Sequence, residues 1–177
     1  MEVLFAMMVA GILVGMGIPS FKTSVQNNRL VTQANDLLSM LLYARSQAIL
    51  SNDNVTICAS NNTNTATPSC SGTNWASGWI VCQEASNGNT GCASGYALLR
   101  VEAALTGGNS LTNASNLSKI TFSPATGGLT TNASLTFDVC DSRGASYGRA
   151  IYVYSAGQAR VSPYPGKLLD NATALSC

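Results

Sequence analysis

Apolar residues are concentrated at the start of the chain, and polar residues dominate after it. Residues 3–18 are apolar apart from three glycines, and as a helix they would span about 24 Å at 1.5 Å per residue. This length is slightly below the ~20 residues that cross a bilayer core. Glu2, the one charged residue in this region, stands where a secretory signal peptide carries basic residues, and no small-x-small cleavage site follows. The pattern therefore indicates an anchor or assembly helix rather than a signal peptide.

A second apolar pattern runs from Val25 to Leu50 and has the spacing of an amphipathic helix that lies on a core. Its apolar positions are Leu30, Ala34, Leu37, Leu41, Ala44 and Ala48, widened by Leu38, Leu42 and Ile49. We therefore predict one helix of ~50 residues, with a kink at Pro19 and slack at Gly11, Gly15 and Gly17. Residues 1–21 form its apolar transmembrane half, which would pack in lipid or among copies of itself, and residues 22–51 form the half that packs on the head.

Residues 52–177 are predicted to form a β-rich globular head. The strand patterns are rich in β-branched and aromatic residues and are separated by Asn, Gly, Ser and Thr; they cover residues 55–59, 79–82, 96–101, 119–122, 135–139, 150–154 and 159–162. Segments 61–74 and 107–118 are expected to be long loops, and Trp75 and Trp79 to be core anchors. The expected fold is α+β, with the long N-terminal helix packed on an antiparallel β-sheet head that disulfides staple.

The six cysteines all lie in the head. An even number beside an apolar segment favours three disulfides made in an oxidising compartment. Proximity in sequence favours Cys58–Cys70 and Cys82–Cys92, which leaves Cys140 to pair with Cys177; other connectivities remain open. A metal site is the alternative, but these spacings are not those of metal ligands and the chain has no histidine.

The composition gives no indication of an enzyme. Charged residues make up 10% of the chain, well below the ~25% of an ordinary domain, and the eight carboxylates form no recognisable acid–base pair. The sequence contains no phosphate-binding glycine loop and no Gly-x-Ser-x-Gly motif. We therefore expect no catalytic residues, cofactor or metal. The net charge of +1 also makes no general case for a nucleic-acid partner.

Glu2 allows two interpretations. An ionised carboxylate at membrane depth costs several kcal/mol unless it is paired, so such a residue suggests a function. The nearest cation that could pair with it is a terminal amine, either its own or that of a neighbouring copy. Alternatively, Glu2 is a solvated residue at the level of the lipid headgroups.

The combination of Glu2, the apolar run, Ile18-Pro19-Ser20-Phe21 and a helix leading into a β-rich head resembles the type IV pilins and the type II secretion pseudopilins. Segments 28–38, 42–49, 55–58, 75–81 and 140–144 are similar to the GspH/FimT/FimU branch. In that family a prepilin peptidase removes a basic leader, the new N-terminal Phe is methylated, and Glu stands at the fifth mature position. The spacing from Glu2 to Pro19 matches the family, so we expect the leader and the first mature residues to be missing from this sequence.

The resemblance implies a structural subunit, a minor pilin or pseudopilin. It would be a single-pass protein of the inner membrane that then assembles into an extracellular pilus or a periplasmic pseudopilus. Its implied partners are other pilin subunits, which it contacts through the N-terminal helix, and the prepilin peptidase. Glu2 and Pro19 are the implied assembly residues. The chain could also be the major subunit of its own filament.

DNA uptake is a second hypothesis for the function. Arg143, Arg149, Arg160 and Lys167 are concentrated near the end of the chain, and residues 156–160 resemble the Gly-Arg-x-Arg stretch of DNA-binding FimT-type pilins. Gln158 replaces the first Arg of that stretch, which weakens the case because each phosphate contact by a cation adds affinity. The alternative is that these are solvated residues of strands and turns.

Overall fold

The computed structural model describes residues 2–84, 92 and 96–177, and for residues 4–6 and 9–19 it describes the backbone alone. The first element, helix α1, spans Glu2–Ser51 and has 50 residues, about 75 Å at 1.5 Å per residue. Its backbone is helical through Pro19; the side chain of Pro19 and the predicted kink lie outside what is described. No helix formed by the described residues is long and apolar enough to cross a membrane. The prediction of one long helix is confirmed.

The side of α1 that faces the head is the predicted apolar stripe. Leu30, Leu37 and Leu41 are at most 1% exposed, and three alanines between and beyond them are fully buried. Because alanine is small, it lets the helix backbone lie close to the sheets. Leu42 and Ile49 are 43% and 52% exposed, so the stripe is narrower than the sequence suggested.

The described residues of the head form eight strands in two antiparallel sheets. The strands are β1 Val55–Ala59, β2 Trp79–Gln83, β3 Ala97–Glu102, β4 Ser110–Asn113, β5 Lys119–Phe122, β6 Leu135–Cys140, β7 Arg149–Val153 and β8 Ala159–Val161. The first sheet has the order β3-β2-β1-β5, and the second has the order β4-β6-β7-β8. Every predicted strand is present, and no strand end differs from the prediction by more than one residue. Strand β4 was not predicted; the sequence analysis expected a loop over residues 107–118, which contain it.

Trp75 links the two sheets in the core. Its ring meets that of Phe137, in β6, edge to face at a centroid distance of 4.9 Å. Its Nε1 donates a hydrogen bond to the carbonyl oxygen of Leu117 at 2.7 Å. Trp79, at the start of β2, is also fully buried. Both tryptophans are therefore core residues, as predicted.

The three predicted disulfides are confirmed as Cys58–Cys70, Cys82–Cys92 and Cys140–Cys177. The first two disulfides lie at the face of the first sheet that points away from α1. Buried side chains cluster there, including Ile80 with Cys58 and Cys82. Strand β1 is consequently buried on both faces.

The third disulfide holds the segment after β8 against the second sheet. Leu175, two residues before Cys177, is 6% exposed. Nearby, the Ser176 N–H donates a hydrogen bond to Oδ2 of Asp138, in β6, at 3.0 Å. This segment covers one end of the sheet's outer face and leaves the other end open.

Candidate interaction surfaces

Val31, Leu42 and Ile49 form an apolar stripe on the open side of α1. They are 39%, 43% and 52% exposed, and their spacing returns them to one side of a helix that has 3.6 residues per turn. Phe21 and Leu50, which are 71% and 77% exposed, add apolar surface near the two ends of this segment. Exposed apolar surface of this kind is typical of contact with another protein or a membrane.

Glu2 begins α1, where the positive end of the helix dipole favours a carboxylate. It is exposed, and Val3, Met7 and Met8 close to it are 68%, 68% and 65% exposed. Within the described part of the chain Glu2 forms no salt bridge. Its carboxylate is therefore available to a cation from outside these residues.

Arg45 ties α1 to two turns of the head. Its Nε donates a hydrogen bond to the carbonyl oxygen of Gly127 at 3.1 Å. The turn between β7 and β8 lies at the same place, since a Cβ added to Gly157 would be 1.8 Å from the Gly127 oxygen and 3.2 Å from Nε of Arg45. The turn that resembles the DNA-binding stretch is thus packed, at Gly157, against the body of the protein.

A shallow cavity of about 340 Å³ opens between α1 and the segment that follows β3. Arg29, Asp36 and Glu102 are among its lining residues. Burial raises the pKa of Asp36, while burial and then the charge of Asp36 raise the pKa of Glu102. Gln33 closes one side by donating a hydrogen bond to the carbonyl oxygen of Thr106 at 3.1 Å. Arg29 adds a positive charge to the same lining, so the cavity contains charges of both signs.

Two of the four predicted basic residues are engaged within the head. Arg143 forms a salt bridge with Asp141 at 2.7 Å, and its guanidinium lies 4.2 Å from the centroid of the Tyr147 ring. Lys167 is exposed, and its Nζ donates a hydrogen bond to the carbonyl oxygen of Asn171 at 3.0 Å. These contacts hold both side chains against their own neighbours.

The other two, Arg149 and Arg160, lie on opposite faces of the second sheet. Arg149 is paired with Val139, and Arg160 is paired with Tyr152. Because side chains alternate along a strand, Arg149 lies on the face of buried Ile151, whereas Arg160 shares the outer face with Tyr152. The four basic residues therefore do not form one patch.

Arg160 instead belongs to an aromatic surface at the open end of the second sheet. The rings of Tyr152 and Tyr154 meet edge to face with centroids 4.6 Å apart, and the Arg160 guanidinium lies 5.4 Å from the Tyr154 centroid. We call these three residues the tyrosine–arginine surface. The two tyrosines were not predicted as surface residues from the sequence, although their spacing of two in a predicted strand places them on one face.

Comparison with known proteins identifies the family. The family described as type II transport protein GspH matches residues 33–157, more than half of the chain. The chain belongs to the GspH family. A search of curated protein sequences finds no match.

Solved structures of pilins and pseudopilins share the fold of this GspH-family chain. The type IV minor pilin FimU of Pseudomonas aeruginosa is 24% identical in one crystal form, with a TM-score of 0.61, and the match covers 78% of this chain and 91% of FimU. A second form of FimU is 25% identical, with a TM-score of 0.59 and coverage of 76% and 93%. The minor pseudopilin EpsH of the Vibrio cholerae type II secretion system is 12% identical, with a TM-score of 0.54 and coverage of 80% and 98%. The chain is thus a GspH/FimU-like member of the type IV pilin and pseudopilin superfamily.

The GspH match begins after both expected assembly residues and ends before the open edge of the tyrosine–arginine surface. Glu2 and Pro19 precede it, and Arg160 follows it. Membership therefore concerns the head and the part of α1 packed on it. Members of this superfamily are structural subunits rather than enzymes. The family match does not include Glu2, Pro19 or Arg160 and so does not bear on their roles.

Proposed function

We propose that this chain is a minor subunit of a type IV pilus or a type II secretion pseudopilus. It is held in the inner membrane by the first half of α1 and then assembles into a filament through that same half. The observation that carries the proposal is the single 50-residue helix of a GspH-family chain. Among the side chains that are described, none before Leu30 is buried in the core, which supports packing of the first half of α1 in lipid or against neighbouring subunits.

Glu2 has the central role in the assembly step. Its carboxylate pairs with the terminal amine of an adjacent subunit while the apolar helices bundle. Because the two opposite charges compensate each other, neither is left unpaired in an apolar environment. Glu2 is exposed at the start of α1, which supports contact of its carboxylate with a neighbouring subunit. Pro19 cannot donate a backbone hydrogen bond and so allows α1 to bend between its two halves.

Substitution of Glu2 tests the assembly step. The Glu2→Ala protein is expected to remain folded and in the membrane but to be absent from isolated filaments, because the amine of its neighbour loses its partner. Glu2→Asp keeps the charge and is expected to retain part of the incorporation. Immunoblots of membrane and filament fractions give both quantities. Normal incorporation of Glu2→Ala would contradict the proposal.

Processing by a prepilin peptidase and N-terminal methylation belong to the same proposal. The coding sequence upstream of Met1 is the direct test, and it is expected to encode a basic leader that ends in Gly just before a Phe. Mass spectrometry of the protein purified from filaments is expected to find a methylated N-terminal Phe. An unmodified terminus without a cleaved leader would exclude this pathway.

The alternative of a major subunit differs only in copy number, because major and minor pilins share the helix. Quantitative mass spectrometry of isolated filaments distinguishes the two. We expect this chain at a small fraction of the most abundant pilin. If it is itself the most abundant pilin, it is the major subunit.

DNA binding is a second candidate function, favoured by the tyrosine–arginine surface. Aromatic rings stack on bases, and an adjacent cation contacts phosphate, which together suit single-stranded DNA. Substituting one stacking residue costs about 1–3 kcal/mol per base. We therefore expect Tyr154→Ala and Arg160→Ala to weaken binding of a labelled single-stranded oligonucleotide to the detergent-solubilised chain at low salt, by roughly tenfold each.

Arg149→Ala is the matched control for the DNA experiment. It removes the same charge from the opposite face of the same sheet, so it is expected to leave the affinity close to that of the wild type. The same titration with duplex DNA, and with a Lys167→Ala variant, tests whether basic residues outside the tyrosine–arginine surface contribute to binding. If no DNA binds at low salt, or if Arg149→Ala and Arg160→Ala have equal effects, the tyrosine–arginine surface is not a DNA site.

A further inference from the structure

Two disulfides meet behind the first sheet. Sγ of Cys58 lies 4.0 Å from Sγ of Cys92, although each is bonded to a different cysteine. The Sγ atoms of Cys58, Cys70 and Cys92 all lie within 4.8 Å of one another, and Cys82 is not part of that group. Cys82 is bonded to Cys92, and we call Cys58, Cys70, Cys82 and Cys92 together the sulfur cluster. Each disulfide thus has a sulfur of the other within reach of an exchange reaction.

The strands hold half of the sulfur cluster in place. Cys58 is in β1 and Cys82 is in β2, and the register pairs Cys58 with Ile80 and Cys82 with Thr56. The two cysteines are therefore two positions apart diagonally on one face of paired strands. Cys70 and Cys92 lie outside the strands and are bonded to Cys58 and Cys82 respectively.

The sulfur cluster has one accessible member. Cys58 and Cys82 are fully buried and Cys92 is 2% exposed, whereas Cys70 is partly exposed. A thiolate must reach the sulfur that it attacks. An external thiol therefore meets the cluster at Cys70.

From this geometry we propose that Cys70 is the entry site for a dithiol reagent or oxidoreductase, and that its attack is relayed to Cys82. The external thiolate bonds to Sγ of Cys70 and breaks the Cys58–Cys70 bond, which leaves Cys58 as a thiolate. Cys58 then attacks Sγ of Cys92, forms a Cys58–Cys92 disulfide and expels Cys82 as a thiolate, which takes a proton from water. The second thiol of the reagent attacks its own sulfur in the mixed disulfide and releases Cys70.

The atoms and electrons of this sequence balance. One dithiol is oxidised to a disulfide, and the protein gains two thiols, on Cys70 and Cys82. One disulfide remains in the cluster, now between Cys58 and Cys92. Cys58–Cys92 is therefore an alternative pairing that the fold brings within reach, and a dithiol oxidoreductase that acts on Cys70 converts the two native disulfides into this single disulfide and two thiols.

Mapping the thiols after limited reduction tests the relay. The full chain in detergent is treated with a small excess of dithiothreitol, quenched with N-ethylmaleimide and digested without reduction. No Lys or Arg lies between Arg45 and Arg100, so chymotrypsin and a glutamate-specific protease, which cut after Trp75, Trp79 and Glu84, replace trypsin. Tandem mass spectrometry then locates the labels and the remaining disulfide.

The relay predicts that, among molecules with two labels in the cluster, most carry them on Cys70 and Cys82. The fragment that contains Cys58 is then linked to the one that contains Cys92. Labels on Cys58 and Cys70 with Cys82–Cys92 intact mean simple reduction and overturn the proposal. Labels on Cys82 and Cys92 with Cys58–Cys70 intact mean that Cys70 is not the entry site and overturn it equally.

A rate measurement provides the second test. In a Cys58→Ser/Cys70→Ser protein the entry site is gone, and labelling of Cys82 is expected to slow at least tenfold. Labelling of Cys177 is the internal control and is expected to keep its rate, which also reports that the head remains folded. An unchanged rate at Cys82 would contradict the relay. If the variant does not fold, the label map of the wild-type protein decides the question alone.

Discussion

Arg45 and Gly127, which are 82 residues apart, are joined by a hydrogen bond of 3.1 Å from Nε to the carbonyl oxygen. The bond connects the last third of α1 to the turn after β5. The turn between β7 and β8 packs on the same point through Gly157. One side chain of the helix thus contacts the place where two turns of the head meet.

Replacing Arg45 with Ala is expected to lower the free energy of unfolding by about 1–2 kcal/mol, the usual cost of a partly buried hydrogen bond from a charged donor. Urea denaturation of the purified chain, followed by tryptophan fluorescence, measures the change. Asn35→Ala, on an exposed position of the same helix, is the control and is expected to change stability by less than about 0.5 kcal/mol. Equal effects of the two substitutions would show that the Arg45 contact does not hold the head.

Gly157 is expected to tolerate no side chain. It has a φ of 78°, and an added Cβ would lie 1.8 Å from the Gly127 oxygen, so Gly157→Ala forces the backbone apart. We expect a loss of about 3 kcal/mol or more. Gly108 has a similar φ of 69° with open space around an added Cβ, so Gly108→Ala is expected to cost only about 1 kcal/mol. Thermal unfolding of both variants separates the clash from the backbone strain.

Local patterns in the sequence predicted the helix, most strands and the disulfides. The buried stripe from Leu30 to Ala48 is a helical period, and Cys58–Cys70 and Cys82–Cys92 are close in sequence. Strand β4 escaped prediction because only Leu111 of its four residues is buried. Its identity as a strand depends on pairing with β6, which no pattern within Ser110–Asn113 reveals.

The same limit applies to the surface residues. Arg143 was grouped with Arg160 by sequence position, yet its partner Asp141 stands only two residues away and could have indicated a local salt bridge. Placing Arg160 beside Tyr154 requires the register of the β7–β8 hairpin. The contact between Cys58 and Cys92 depends on where two disulfides lie on one face of a sheet. Such relationships belong to the folded structure rather than to a local pattern.

Trp75 and Trp79 are equally buried but are expected to respond differently to replacement by Phe. Trp75 Nε1 donates to the carbonyl oxygen of Leu117, whereas Trp79 Nε1 is buried with no hydrogen-bond partner among the described residues. Trp75→Phe loses a hydrogen bond, while Trp79→Phe removes an unsatisfied donor. Both lose volume, so we expect Trp75→Phe to be less stable than Trp79→Phe by about 1–2 kcal/mol in urea denaturation. The reverse order would mean that the Nε1 of Trp79 has a partner.

Asp138 is expected to make the protein less stable as the pH rises. Burial raises the pKa of this carboxyl, and the hydrogen bond from Ser176 N–H only partly offsets the effect. The folded chain therefore binds the proton more tightly than the unfolded chain. The favourable contribution is full below the unfolded pKa and is lost as the pH rises through the folded pKa. Asp138→Asn keeps an oxygen for the Ser176 N–H and carries no charge, so its stability lacks this dependence.

The measurement is the difference in unfolding free energy between Asp138→Asn and the wild type from about pH 4 to pH 7. We expect the variant to be the more stable protein near pH 7 and its advantage to shrink as the pH falls. Asp141→Asn is expected to change stability in the opposite direction. Burial raises the pKa of Asp141, but the hydrogen bonds and charge of Arg143 outweigh burial and lower that pKa. That variant is expected to be less stable than the wild type by a constant amount across this range. The difference is expected to shrink only when the pH falls below the unfolded pKa, under about pH 4, toward the lowered pKa of the folded chain. If the advantage of Asp138→Asn is constant across this range, the carboxyl of Asp138 does not titrate with folding, and the wild-type pH dependence comes from other groups.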